Sequence, residues 1–224
     1  MALTAPQSVI DRARKIKIIL FDVDGVWTDG TIWLVPGSTG REVLDKIQGA
    51  TGRDTSLGVQ SSTMVEVKGY SAHDGLGIAL GRMGGLKYGV ITKRISETVA
   101  TRAHDLKIEH VYQGQSFKME PVRQICAQEG VTLDQVCYVG DDIIDLPVMR
   151  EVGFAVAVAN ARERVKAEAH YVTPNAGGYG AARDTIEFVL EAQGKLEQCI
   201  QSYVDKSTSI AASMDIGRGG ADLK

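Results

Sequence analysis

Short apolar runs alternate with helical patterning along most of this chain, and that alternation leaves few folds open to it. Ile16 to Phe21, Tyr88 to Ile91, His110 to Tyr112, Val136 to Val139 and Phe154 to Val158 read as strands. Leu76 to Met83, Ser96 to Leu106, Phe117 to Glu129, Ile143 to Arg150, Arg162 to Glu168 and Ala181 to Ala192 read as helices. Ser96 suits an N-cap region, Gly130 closes the helix before it, and Pro147 implies that its helix is short or begins there. Strands that are apolar throughout are buried on both faces. Repeated β-α-β units imply a parallel sheet covered by helices on both sides, so the expected class is α/β with a doubly wound, Rossmann-like parallel sheet. Ligands of such sheets bind beyond the C-terminal strand ends. The polar residues placed there are Asp22 and Asp24, Thr92, the stretch Gln113 to Lys118, and Asp141, Asp142 and Asp145.

Two regions break the alternation. Residues 31–67 hold two β-like runs, Thr31 to Val35 and Thr63 to Val67, around a Gly-, Ser- and Thr-rich stretch. They read as a long hairpin with a mobile tip. Residues 194–224 read as a C-terminal tail whose last part is expected to be disordered unless a partner holds it. Residues 1–193 are then one domain, which suits a chain of 224 residues.

Composition excludes several classes of function. A net charge of −3 offers no broad basic field, so no nucleic-acid partner is expected. Cys126, Cys137 and Cys199 form neither a CxxC pair nor a zinc spacing, and a sparse unpaired set fits a reducing compartment. Residues 1–17 lack the apolar core of a signal peptide, and no apolar run is long enough to span a bilayer. The expectation is a soluble cytoplasmic protein without a membrane partner.

Asp22 and Asp24 lie two apart at a strand end, a spacing that turns both carboxylates to one side of an extended chain. Gly25 lets the chain turn away and bares backbone N–H groups. Two adjacent carboxylates repel unless a cation lies between them, and Mg²⁺ is the hard, oxygen-seeking ion for that place. Asp141 and Asp142 follow a later strand and can complete the carboxylate shell. Lys118 can hold a phosphoryl group, and the Thr92 hydroxyl can donate to a phosphate oxygen. Taken singly, each has a plainer explanation. A DxDG is often only a turn, a GDD often caps a helix, a lone Lys is usually solvated and a lone Thr is usually a cap. Their joint order after successive strands points instead to phosphoryl transfer, with a nucleophile, an acid/base, a metal and donors to the transferring oxygens.

The run from Asp22 to Gly30, with Thr92, Lys118 and Gly140 to Asp145, resembles the four motifs of the haloacid dehalogenase superfamily. The stretches Tyr112 to Lys118, Asp74 to Ile78, Gly177 to Ala181 and Ala192 to Leu196 are similar to the capless 3-deoxy-D-manno-octulosonate 8-phosphate phosphatases, members of lipopolysaccharide biosynthesis. The resemblance implies a phosphoric monoester hydrolase. Asp22 would form an aspartyl-phosphate, and Asp24 would act as general acid and then base. Asp22, the backbone carbonyl of Asp24, and Asp141 would bind Mg²⁺, while Thr92 and Lys118 would hold the phosphoryl group. Substrate contacts would fall at Asp24, Ser71, Ala72, His73, Asp74, Gly75, Arg94, Arg102 and Lys118. The resemblance also implies a β-hairpin flap with no large cap domain, and a homotetramer in which a neighbour's hairpin and tail help to close each site.

The sugar-facing positions depart from that pattern. His73 and Ala79 stand where the family usually has Arg, Lys93 where it has Gly, and Tyr179 where it has Arg. These changes keep other substrates open: a nine-carbon ketodeoxy sugar acid, an N-acylneuraminate 9-phosphate or another sugar phosphate. From a different class, a non-catalytic oligomerisation module of a nucleotidyl-sugar pathway stays open too, against which stand the retained Asp22, Asp24, Thr92, Lys118 and Asp141. A signalling receiver is disfavoured by the spread of its acidic groups and by Lys118 preceding Asp141. Trp27 and Trp33 could face substrate, core or interface.

Overall fold

Ile18–Phe21 (β1) is apolar at every position, and all four side chains are buried. That is possible only if helices cover both faces of its sheet. In the computed structural model, which describes residues 5–36 and 64–213, β1 is the third strand of a parallel sheet. The other elements, in chain order, begin with α1 (Gln7–Arg14), β2 (Trp33–Pro36), β3 (Met64–Val67), α2 (Ala72–Met83), β4 (Lys87–Ile91), α3 (Glu97–Asp105) and β5 (His110–Tyr112). They continue with α4 (Met119–Glu129), β6 (Val136–Gly140), α5 (Leu146–Met149), β7 (Phe154–Ala157), α6 (Glu163–Lys166), β8 (Tyr171–Val172), α7 (Ala181–Ala192) and α8 (Leu196–Ser213). The six-stranded order is β5-β4-β1-β6-β7-β8.

Strand order reverses direction between β1 and β6. With right-handed crossovers, the connections β1-α2-β4 and β4-α3-β5 lie on one face, and those through α4, α5 and α6 lie on the other. α1, α2, α7 and α8 accordingly pack among themselves, and α4 packs on α5. The expected doubly wound sheet is therefore present. Its switch point is the crevice beyond β1 and β6, where Phe21 is level with Val139. Asp22 and Asp141 follow from those two strands. β2 and β3 form a separate antiparallel ribbon, the flap expected from the sequence. Its tip, residues 37–63, and the chain end, residues 214–224, lie outside the described residues, as do the expectations of a mobile tip and a disordered end.

Three elements lie outside the strands and helices expected from the sequence: α1, β8 and α8. α1 is amphipathic but mostly polar: it buries Ala13 fully and packs Val9 and Ile10 partly against the core. β8 has two residues. α8 does carry a helical stripe: Leu196, Cys199 and Ile200 meet the core, with Cys199 buried. Other boundaries move for local reasons. α2 begins earlier than read because the Ser71 hydroxyl accepts from the N–H of His73 and caps it. Gly130 ends α4 with a left-handed φ of 63°, as its position suggested. The span 143–150 divides into a 3₁₀ turn, Ile143–Asp145, and α5, with Pro147 in the helix's first turn. No described helix is long and apolar enough to cross a membrane.

The far side of the sheet is tied by stacked rings. Phe154 lies 5.8 Å from Phe188, which lies 4.3 Å from Tyr171. Phe154 is wholly buried, so Phe154→Ala removes a large apolar surface that the packed sheet cannot refill. The expected loss is about 3–5 kcal/mol in urea unfolding. A loss below about 1 kcal/mol would contradict this assignment of the core.

Candidate active site

β1 ends at Phe21, and the next backbone N–H, that of Asp22, still bonds to the Val139 carbonyl at 3.0 Å. This delivers the Asp22 side chain to the switch point. Its Oδ1 accepts from the N–H of Val23 at 2.7 Å and pairs with Lys118 Nζ at 2.8 Å. Lys118 precedes α4 and is 3% exposed. Its ammonium also reaches Asp145 Oδ1 at 2.7 Å. Asp145 is fully buried, and Tyr138 OH donates to the same Oδ1 at 2.7 Å. The N–H groups of Asp141 and Asp142 donate to its Oδ2 at 3.0 and 3.3 Å.

Asp22, Asp141 and Asp145 bring carboxylate oxygens within 4.8 Å of one another, a spacing that suits a metal ion. The three are not equal candidates. A carboxylate has about four acceptor sites, and Asp145 already receives Lys118, Tyr138 and two backbone N–H groups. It orients the others. Asp141 differs, because its Oδ1 is buried with no protein partner. A buried carboxylate oxygen without a donor is costly, and a divalent cation would satisfy it. The residues thus fit a hard cation held chiefly by Asp22 and Asp141. The Asp24 carboxylate does not join this group. β1 ends at Phe21, so Asp24 stands on the turn that follows it, with its carboxylate paired to Lys68. Asp142, expected beside Asp141, is exposed and caps the 3₁₀ turn by accepting from the N–H of Ile143 at 2.7 Å.

Gly25 has φ 91°, and a Cβ there would fall 2.2 Å from Asp141 Oδ2. Only glycine lets the loop pass so close to that carboxylate. Gly177 packs on the same loop, where a Cβ would lie 1.7 Å from the Gly25 carbonyl oxygen. Its N–H donates to Asn160 Oδ1 at 2.7 Å. The Gly177–Gly178 pair noted in the sequence thereby braces the Asp22 loop.

Thr92 follows β4 and is buried. Its hydroxyl oxygen accepts from the N–H of Arg94 at 3.3 Å, which leaves the O–H to donate. Asp24 is ion-paired with Lys68, and its Oδ2 lies 3.8 Å from Arg94 Nε. Arg94 also pairs with buried Glu66. Burial raises the pKa of Glu66, but hydrogen bonds from Arg94 and Ser96 and the nearby Lys68 and Arg94 charges lower it on balance.

The remaining sugar-side candidates spread around α2. Arg102 Nη2 donates to the Ser71 carbonyl at 3.2 Å and lies beside Gly75. Ala72 and His73 are exposed. Asp74 is buried, accepts from the N–H of Arg183 at 3.0 Å, and has its pKa raised to about 6 by burial. It ties α2 to α7. Trp27 is buried in the core, Trp33 is exposed on the flap, and Lys93 and Tyr179 are exposed. Glu66, Lys68, Tyr138 and Asp145 were not among the residues assigned a role from the sequence. For Asp145 the signal was available in its fixed place after Asp141. For Glu66 and Lys68 it was a pair of charges alternating with Val65 and Val67.

Burial pushes Asp22 up to about 7, with the Asp145 charge adding to the shift and Lys118 opposing it. Burial, then Asp22 and Asp145, push Asp141 to about 8. Burial alone would lower Lys118, but the charges of Asp22 and Asp145 outweigh it and raise its pKa.

A family model described as haloacid dehalogenase-like hydrolase matches residues 89–183. The chain is 37% identical to the 3-deoxy-D-manno-octulosonate 8-phosphate phosphatase of Yersinia pestis, over 84% of this chain and 87% of that protein. It is 36% identical to the enzyme of the same name from Escherichia coli strain K12, over 85% and 87% of the two chains. Its fold is similar to a crystal structure of 3-deoxy-D-manno-octulosonate 8-phosphate phosphatase from Moraxella catarrhalis in complex with magnesium ion, phosphate ion and a KDO molecule. That similarity has a TM-score of 0.73 and 30% identity, and covers 88% of this chain and 98% of the other.

The raised pKa values of Asp22 and Asp141 have a signed consequence. Both lie above the ordinary 3.8, so folding favours the protonated forms. Their contribution to stability is whole below that value and is lost as pH rises through about 7 and about 8. A divalent cation binds the deprotonated carboxylates and reverses the loss. The rise in Tm caused by Mg²⁺ is therefore expected to be larger at about pH 8.5 than at about pH 5.5. Equal shifts at the two pH values would contradict the placement of the ion on these carboxylates.

Proposed function

The chain belongs to the haloacid dehalogenase-like hydrolases, and from that premise we propose that it is a magnesium-dependent phosphoric monoester hydrolase acting on 3-deoxy-D-manno-octulosonate 8-phosphate. The observation that carries this reading is the buried Asp22, held by Lys118 at 2.8 Å beside Asp141 at the switch point of the sheet. Oδ1 of Asp22 is engaged by Lys118 and the Val23 N–H, which leaves Oδ2 to attack phosphorus in line with the leaving oxygen. Lys118 and the Thr92 O–H hold the equatorial phosphoryl oxygens as charge builds on them. Asp24 gives a proton to the departing sugar oxygen, and its carboxylate then takes one from the water that opens the aspartyl-phosphate. Magnesium, when bound by Asp22, Asp141 and the Asp24 carbonyl, supplies charge neutralisation between carboxylates and phosphate.

On the sugar side, Arg94, Arg102, Ser71, Ala72, His73 and Gly75 border the acid end, while Asp74 acts by fixing α2. The exposed Tyr179, where the family usually has Arg, favours a second reading. In it the same chemistry serves an N-acylneuraminate 9-phosphate or a nine-carbon ketodeoxy acid phosphate. Action in the cytoplasm accompanies either reading, in keeping with three free cysteines.

We further propose a homotetramer closed through the flap. Trp33, Val35, Val65 and Val67 are paired across the ribbon on one face and all are exposed. A second copy of this chain is the occupant that also brings a flap to the neighbouring site.

A panel of sugar phosphates with and without Mg²⁺ tests the activity. Octulosonate 8-phosphate is expected to be preferred, chelation to abolish turnover, and Asp22→Asn to lower kcat about 10³-fold or more. Wild-type rates in Asp22→Asn would remove the nucleophile, and a nine-carbon preference would replace the substrate. For assembly, light scattering is expected to give a tetramer for the wild type and smaller species for Trp33→Asp. A monomeric wild type would contradict the flap interface.

A further inference from the structure

The returning strand of the flap, β3, and the residue just after it alternate Val65 and Val67 with Glu66 and Lys68. Alternation turns the valines outward and the two charged side chains inward. The outcome is unusual for charged residues, since Glu66 is 5% exposed and Lys68 is 7% exposed. Charges so enclosed are retained only where they are paired. Lys68 meets Asp24 Oδ1 and lies 3.3 Å from Glu66 Oε1. The other Glu66 oxygen pairs with Arg94, and Arg94 returns to within 3.8 Å of Asp24 Oδ2. Asp24, Lys68, Glu66 and Arg94 thus close a ring of alternating charge. Among them only Asp24 belongs to the loop after β1, and Asp24 is part-exposed. A carboxylate on a loop samples several rotamers, whereas an acid catalyst must sit within about 2.6–3.2 Å of the oxygen it protonates.

We infer that Lys68 is a positioning residue that fixes the Asp24 carboxylate for proton transfer to the leaving oxygen, with Glu66 as the counter-charge that fixes Lys68 and Arg94 as the counter-charge that fixes Glu66. This rests on the phosphatase reading with Asp24 as the acid. Lys68 occupies Oδ1, while Arg94 Nε at 3.8 Å is beyond hydrogen-bond reach of Oδ2, so Oδ2 is the oxygen that carries the proton. That proton passes to the ester oxygen as its bond to phosphorus breaks and the bond from Asp22 forms. In the second half, the same Oδ2 takes a proton from water as the water oxygen bonds to phosphorus and the Asp22 bond breaks.

The test compares two esters in Mg²⁺: a sugar phosphate, whose leaving alkoxide needs a proton, and p-nitrophenyl phosphate, whose leaving phenolate does not. Values of kcat/KM report formation of the aspartyl-phosphate for each. Lys68→Met is expected to lower the sugar phosphate value about 10–100-fold and the aryl value less than about 3-fold. Lys68→Arg is expected to restore part of the lost sugar phosphate rate. In an Asp24→Asn background, Lys68→Met is expected to add less than about a twofold loss, since the two act as one unit. Parallel falls for both esters, or no fall for the sugar phosphate, overturn the inference. If Lys68→Met does not fold by circular dichroism, Lys68→Gln and Glu66→Gln carry the same comparison with the same outcomes. A wild type inert toward both esters overturns the phosphatase reading, and this inference with it.

Discussion

The ammonium of Lys118, lodged between Asp22 and Asp145, is the contact on which the rest of the site depends. Two buried carboxylates this close to Asp141 repel one another and lose hydration at the same time. Taking such ions out of water costs several kcal/mol each, even after relaxation. Lys118 offsets part of that cost, and Asp145 is settled further by Tyr138 and two backbone N–H groups. What stays unsettled is Asp22 and Asp141, and these are the groups with the raised pKa values. The protein therefore spends stability to bury two carboxylates close together and leaves Asp141 Oδ1 without a protein donor, which suits a site that a cation completes.

A second set of charges sits across from the first and comes from a different part of the chain. The ribbon's Glu66 and Lys68 meet Asp24 and Arg94. On the proposed reading, the core supplies the nucleophile's setting, and the flap supplies the setting of the acid. Because the ribbon's outer face is apolar and exposed, anything that covers it also steadies the strand that carries Lys68. Assembly and proton transfer would share one element of structure.

The sheet was largely legible because buried parallel strands are apolar at each position, and β1, β6 and β7 are buried throughout. The site residues at strand ends were legible from topology, since Asp22, Thr92 and Asp141 each follow a strand. Three things were not. The partners of the Asp24 carboxylate, Lys68 and Arg94, come from 44 and 70 residues away, beyond the reach of local spacing. Asp74 looked like a substrate contact, yet it is enclosed and bonded to the Arg183 N–H, a pairing over 109 residues that local pattern does not carry. A lone lysine beside a β run is ordinarily solvated, and only the tertiary fold reveals that Lys68 is enclosed by carboxylates.

Covalent capture of the phosphoryl group reads out the central claim most directly. Turnover of a phosphate ester is quenched, the denatured protein is reduced with borohydride, and the peptides are mapped by mass. Borohydride converts an aspartyl-phosphate to homoserine. Homoserine at position 22, dependent on both substrate and Mg²⁺, is the expected result. Its appearance at another aspartate, or its absence while the ester is being hydrolysed, would contradict Asp22 as the nucleophile.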